Sequence, residues 1–99
     1  MDSLDIINYQ FTMRCTIIFH GIVQGVGFRY TVYQLAKEFA VTGYVRNCRD
    51  GSVELVAEGK PGEIGRFLEA IRRRMGENID REDVSDSPAT GEFADFGVR

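Results

Sequence analysis

The dipeptide Asp50-Gly51 stands between two short runs with strand character, 43–47 and 52–58. Glycine supplies the positive φ a tight turn needs, so the two runs form an antiparallel hairpin. The strand before them, 14–20, is β-branched and aromatic and ends at Gly21. A helix separates it from the hairpin, because Phe28, Val32, Leu35, Ala36 and Phe39 recur on one helical face from 28 to 39. A helical crossover makes strands 14–20 and 43–47 parallel, which leaves room for the antiparallel third strand to insert between them.

The third strand alternates Val53, Leu55 and Ala57 with Ser52, Glu54 and Glu58. Pro61 opens a second helix whose buried face is Ile64, Phe67, Leu68, Ile71 and Met75, and Gly76 ends it. A polar strand near 79–86 and a short one at 93–98 close the chain. The prediction is an α+β, βαββαβ sandwich: an antiparallel sheet of order 4-1-3-2, two helices on one face and a short terminal strand. With 99 residues, a single domain is expected over 13–99, preceded by an extension, 1–12. Met13 is a candidate start, and Ile6, Ile7, Tyr9 and Phe11 are candidates to pack against the sheet.

Charge narrows the function classes. A net charge of −3 and a pI near 5.1 lack the basic excess that supports sequence-independent nucleic-acid binding. No apolar run approaches the roughly 20 residues of a membrane span, and Met1-Asp2-Ser3-Leu4-Asp5 is acidic where a secretion signal is basic, so a cytoplasmic monomer is expected. Cys15 and Cys48 are expected as free thiols, since an intervening strand sets theirs roughly 9–10 Å apart, beyond the about 7 Å a disulfide spans.

Parallel first and second strands end on the same edge of the sheet, so the stretch 21–29 meets the stretch 47–51 there. Gly21, Gly25 and Gly27 let successive N–H groups turn inward at the start of the first helix, a place that attracts an anion. Arg29, in the first helical turn, opposes the helix dipole unless an anion is bound, and its planar guanidinium can grip two phosphate oxygens. Asn47 ends the second strand, and its amide offers the donor and acceptor needed to hold a water in line with phosphorus. Each also has a plain local reading: a tight connection, a solvated charge, a turn asparagine.

The string Gly21-x-Val23-Gln24-Gly25-Val26-Gly27-Phe28-Arg29 is followed by Gly43-Tyr44-Val45-x-Asn47, Asp50-Gly51-x-Val53-Glu54, Glu58-Gly59, Gly91-x-Phe93 and Phe96-x-Val98. Together these resemble the acylphosphatases, small ferredoxin-like enzymes that hydrolyse carboxyl-phosphate anhydrides. The resemblance covers most of 14–98. It implies that the phosphate of a small acyl phosphate is held by the Arg29 side chain with main-chain amides of Gln24, Gly25, Val26, Gly27, Phe28 and Arg29. It implies that Asn47 orients the attacking water, and that no metal or organic cofactor takes part. The extension 1–12 departs from the family pattern, and Cys48 has no role in it.

The remaining candidates read as structural. His20 lacks triad partners and a second histidine for a metal site. Arg72-Arg73-Arg74 complement the end of the second helix, and Asp80, Glu82, Asp83 and Asp86 are expected to face solvent along an edge strand. An RNA-recognition domain shares this topology, but the third strand carries no aromatic for base stacking. Acylphosphatase-like domains also open a hydrogenase-maturation protein that handles carbamoyl phosphate; the chain ending at Arg99 favours the free-standing hydrolase.

Overall fold

The computed structural model describes residues 11–99. The elements are β1 (Met13–Gly21), α1 (Phe28–Ala36), β2 (Val41–Asn47), β3 (Val53–Gly59), α2 (Pro61–Met75), a short 3-10 turn (Gly76–Asn78), β4 (Ile79–Pro88) and β5 (Phe96–Val98). The sheet order is β4-β1-β3-β2-β5, so the predicted 4-1-3-2 core stands, with β5 added beside β2. The insertion of β3 is explicit in its register: Ile17 pairs with Leu55 on one side and Val45 with Leu55 on the other.

The sheet is mixed, not wholly antiparallel, because β5 runs parallel to β2 from Gly43–Phe96 to Val45–Val98. After β4 on one edge the chain crosses to the other edge and arrives in the direction of β2. The crossing also shortens the last strand. Phe93 does not pair in the sheet, and its ring meets that of Tyr44 edge-on at 5.8 Å, whereas Phe96 packs against Phe67 at 5.6 Å. The first helix likewise ends before Phe39. Lys37, Glu38 and Phe39 donate to the carbonyls of Gln34, Leu35 and Ala36, a tightened i to i−3 turn that still sets the Phe39 ring 5.9 Å from Phe67.

Alternation sorts the sheet into two faces. Cys15, Ile17, Phe19, Val45, Val53, Leu55 and Ala57 meet Val32, Leu35, Ile64, Phe67 and Ile71 from the helices, all of them buried. Removing a ring such as Phe67 from such a core typically costs about 3–5 kcal/mol. Gly43 is required at the crowded β2–β3–β5 junction: its φ is +136°, and a Cβ there would lie 1.9 Å from the Val56 carbonyl oxygen. Phe11 is half exposed and Met13 packs against the core; Ile6, Ile7 and Tyr9 lie outside the described residues.

One charge expectation needs correcting. Glu82 does not face solvent: Arg72 grips it in bidentate fashion across α2 and β4, at 2.8 and 2.9 Å. Asp83 pairs with His20 Nε2 at 2.9 Å, and Arg73 pairs with Glu69 along the helix at 2.6 Å. Arg72, Arg73 and Arg74 remain exposed at the end of α2, and Asp80, Asp83 and Asp86 are exposed along β4, so of the four acids Glu82 departs from the expectation.

Candidate active site

The loop between β1 and α1 is anchored at both ends. Ile22 N–H donates to the Asn78 carbonyl at 2.9 Å, Val23 is buried, and Phe28 is buried with its ring 5.1 Å from Phe19. Between the anchors Gly25 and Gly27 both have φ +78°, with open space where a Cβ would stand. Glycine is therefore needed there for the left-handed backbone and not for room. Gly27 is the N-cap of α1 and has no side chain to satisfy the first amides of the helix, which leaves them for another acceptor.

Those amides border a cleft of about 180 Å³ lined by Val23, Gly25, Gly27, Phe28, Arg29, Tyr30 and Asn47. The sequence expectation that 21–29 and the end of β2 face one another holds here. Asn47 Oδ1 is buried and has no hydrogen-bond partner among the described residues. A buried acceptor left unpaired typically costs about 1–3 kcal/mol.

Gln24 does not turn its side chain to the cleft. Its Nε2 donates to the carbonyl oxygens of Cys48 and Ser52, at 2.7 and 2.8 Å, tying the loop to the β2–β3 turn. That turn is itself held by Asp50, whose carboxylate accepts from the Ser52 hydroxyl and N–H; these bonds hold its pKa below the ordinary value. What Gln24 can offer an anion is its main-chain N–H. Val26 lies at the loop tip, exposed to solvent.

Arg29 lines the cleft and is steadied from outside it: its Nη1 donates to the main-chain oxygen of Arg99 at 3.2 Å. Sequence reasoning missed Arg99, Val23 and Tyr30 as neighbours of the cleft. Val23 and Tyr30 lie within or beside the motif, whereas Arg99 arrives through the parallel pairing of β5, for which the sequence carries no local signal.

The other candidates lie apart. His20 pairs with Asp83 and Arg81. Cys15 is buried, and burial first, then a hydrogen bond with Asp86, pushes its thiol up to about 12. Both cysteines are free thiols. A wider groove of about 650 Å³, bordered by Phe11, Gly59, Pro61 and Arg66, lies at the far end of β3 and contains neither Arg29 nor Asn47 nor any residue of the 21–29 loop. Among the described residues no three His, Cys, Asp or Glu side chains are grouped to hold a metal.

A split β-α-β sandwich with an uncapped helix start across from a buried amide is a small α+β domain with an anion-accepting loop. The family model for acylphosphatase matches residues 15–98. The chain belongs to the acylphosphatase family and is an enzyme that hydrolyses acyl phosphates. An acylphosphatase of Yersinia pseudotuberculosis serotype O:1b (strain IP 31758) is 45% identical over 82 residues, covering 81% of this chain and 88% of that one. The crystal structure of acylphosphatase from Bacillus subtilis superposes with a TM-score of 0.79 at 32% identity, covering 88% of this chain and 98% of that one. HypF of T. kodakarensis matches at 36% identity and TM-score 0.74 over 86% of this chain but 11% of its own length, so this fold also forms a small part of a much longer protein.

Proposed function

We propose that the phosphate of the acyl phosphate is held by the Arg29 guanidinium and the main-chain amides from Gln24 to Arg29, and that Asn47 orients the attacking water. The observation that carries this reading is that Asn47, whose Oδ1 is buried and unpartnered among the described residues, lines the same cleft as Gly25, Gly27 and Arg29. The amides at the start of α1 and a bidentate arginine complement phosphate oxygens. An Asn47 Oδ1 that accepts from water would aim its oxygen lone pair at phosphorus.

Water oxygen then bonds to phosphorus as the bond from phosphorus to the acyl oxygen breaks, and the acyl oxygen leaves as carboxylate. An acyl phosphate is already an activated anhydride, so charge neutralisation and positioning supply most of what is needed. On this reading residues 13–99 carry the activity, working as a monomer in the cytoplasm. In support, no described helix is long and apolar enough to cross a membrane.

The test is hydrolysis of benzoyl phosphate beside a phosphate monoester, with inorganic phosphate as inhibitor. Hydrolysis of the anhydride with competitive inhibition by phosphate is expected, and Arg29→Lys should abolish most of both, since a point-charge ammonium cannot reproduce a two-pronged grip. Purely noncompetitive inhibition, or unaltered inhibition of Arg29→Lys, would move the phosphate elsewhere.

A further inference from the structure

The contact between Arg29 and Arg99 is the near end of a longer path. Arg99 is held twice. Its N–H donates to the Val45 carbonyl at 2.9 Å, continuing the pairing of β5 with β2. Its guanidinium carbon lies 4.0 Å from the centre of the Tyr44 ring and 5.8 Å from that of Phe93. These two rings meet edge-on, centres 5.8 Å apart. The Tyr44 hydroxyl donates to Glu54 Oε1 at 2.9 Å, where Arg46 Nε also binds at 2.6 Å. The Arg14 guanidinium lies 5.2 Å from the centre of the Phe93 ring. Central strands β1 and β3 are thus linked, through two aromatic rings, to the residue whose main-chain oxygen meets Arg29.

We propose that Tyr44 and Phe93 are positioning residues for Arg29: their rings seat the Arg99 side chain, and the seated Arg99 main chain fixes the Arg29 guanidinium at the cleft. A free arginine side chain samples many rotamers, and ordering it on ligand binding weakens that binding. An acceptor already in place removes part of that cost before the anion arrives. A guanidinium has more N–H donors than a bidentate phosphate contact uses, so one can remain on Arg99 while others meet phosphate. A cation over an aromatic face is a modest attraction, which sets the scale of the effect.

This inference rests on Arg29 as the phosphate-binding residue, and the experiment separates the two. The inhibition constant of inorganic phosphate, KM and kcat for benzoyl phosphate, and Tm are measured for Tyr44→Leu, Tyr44→Phe, Arg99→Ala, their combination and Arg29→Lys. Tyr44→Leu and Arg99→Ala should each raise KM and the inhibition constant about three- to tenfold, the scale of a lost cation–π contact. Tyr44→Leu with Arg99→Ala should be little worse than the stronger single change, because both remove one seat. Tyr44→Phe, which keeps the ring, should restore phosphate binding. A lowered Tm with an unchanged inhibition constant would overturn the positioning role and leave Tyr44 merely structural. Should Tyr44→Leu fail to fold, Arg99→Ala, which alters an exposed side chain, decides the question alone. If Arg29→Lys loses phosphate inhibition while Tyr44→Leu and Arg99→Ala keep it, positioning falls and the phosphate site stands; if Arg29→Lys keeps it, both fall.

Discussion

The side-chain amide of Gln24 donates to the Cys48 carbonyl oxygen at 2.7 Å, so the shape of the loop before α1 depends on the turn after β2. The same Nε2 reaches Ser52 O at 2.8 Å, and Asn47 immediately precedes that turn. One amide therefore sets the two walls of the cleft relative to each other.

Gln24→Ala removes one of two donors from each carbonyl, leaving Gly51 N–H on Cys48 O and Cys48 N–H on Ser52 O, and should cost about 1–2 kcal/mol of stability, the usual range for lost neutral hydrogen bonds. Turnover should fall further than stability explains, since small misplacements of a reacting group are costly. Gln24→Glu should be worse on both counts, because it sets a carboxylate against two carbonyl oxygens. Val26→Ala, at the exposed tip, is the control. Equal kcat/KM for Gln24→Ala and Val26→Ala would show that the loop keeps its shape without the link.

Glu58, the carboxylate with the largest depression, should contribute most to the acid limb of stability. Burial alone would raise its pKa, but donors from the Thr90 and Gly91 main chain, Arg14 and the Thr90 hydroxyl outweigh that and hold it at about 2, against an ordinary 4.5. A depressed carboxyl stabilises the fold only while ionised. Its contribution is complete above about pH 4.5 and is lost as pH falls toward about 2. Tm should drop through that window, and Glu58→Gln should be less stable at neutral pH with a flatter acid limb. An equally steep limb in Glu58→Gln would assign the acid sensitivity to other carboxylates.

The legible parts of this fold were those written in local pattern. Asp50-Gly51 announces the hairpin, the crossover helix makes β1 and β2 parallel, and those two facts alone bring Arg29 and Asn47 to one edge. What the sequence could not reveal depended on where a short strand docks. Phe96–Val98 has too few residues for its alternation to specify a partner, and its parallel pairing with β2 follows from a crossing that no turn residue encodes. Arg99 therefore has no signature in the sequence although it touches Arg29. The loop that holds Gln24 is legible in the sequence, but which way a glutamine side chain turns is a matter of tertiary acceptors, here two carbonyls more than twenty residues away. Glu82 illustrates the same limit: an edge strand reads as solvated until Arg72 on the neighbouring helix is seen to reach it.

Of the extension, the described residues Phe11 and Thr12 precede the first paired strand. β1 begins at Met13, paired with Gly59 and Pro88, and Phe11 is half exposed. A chain beginning at Met13 should keep its circular dichroism spectrum, its Tm within a few degrees and nearly all its turnover of benzoyl phosphate. Loss of cooperative unfolding in that truncation would make the extension part of the core.

Asn47 offers the sharpest separation of stability from activity. Its Oδ1 is a buried acceptor without a partner among the described residues, and such a group typically costs about 1–3 kcal/mol. Asn47→Ala removes that penalty and leaves a small space that opens onto the cleft, so Tm should hold or rise. Turnover should nevertheless fall by orders of magnitude, because a contact that holds the attacking water matters chiefly in the transition state and shows in kcat. Phosphate inhibition should stay within a few-fold, since Arg29 and the helix-start amides are untouched. Gain of stability beside loss of kcat is what a group kept for function against the interest of the fold must show. Asn47→Ala with normal kcat would remove it from the chemistry, and a weakened phosphate constant with intact Tm would make it a binding residue instead.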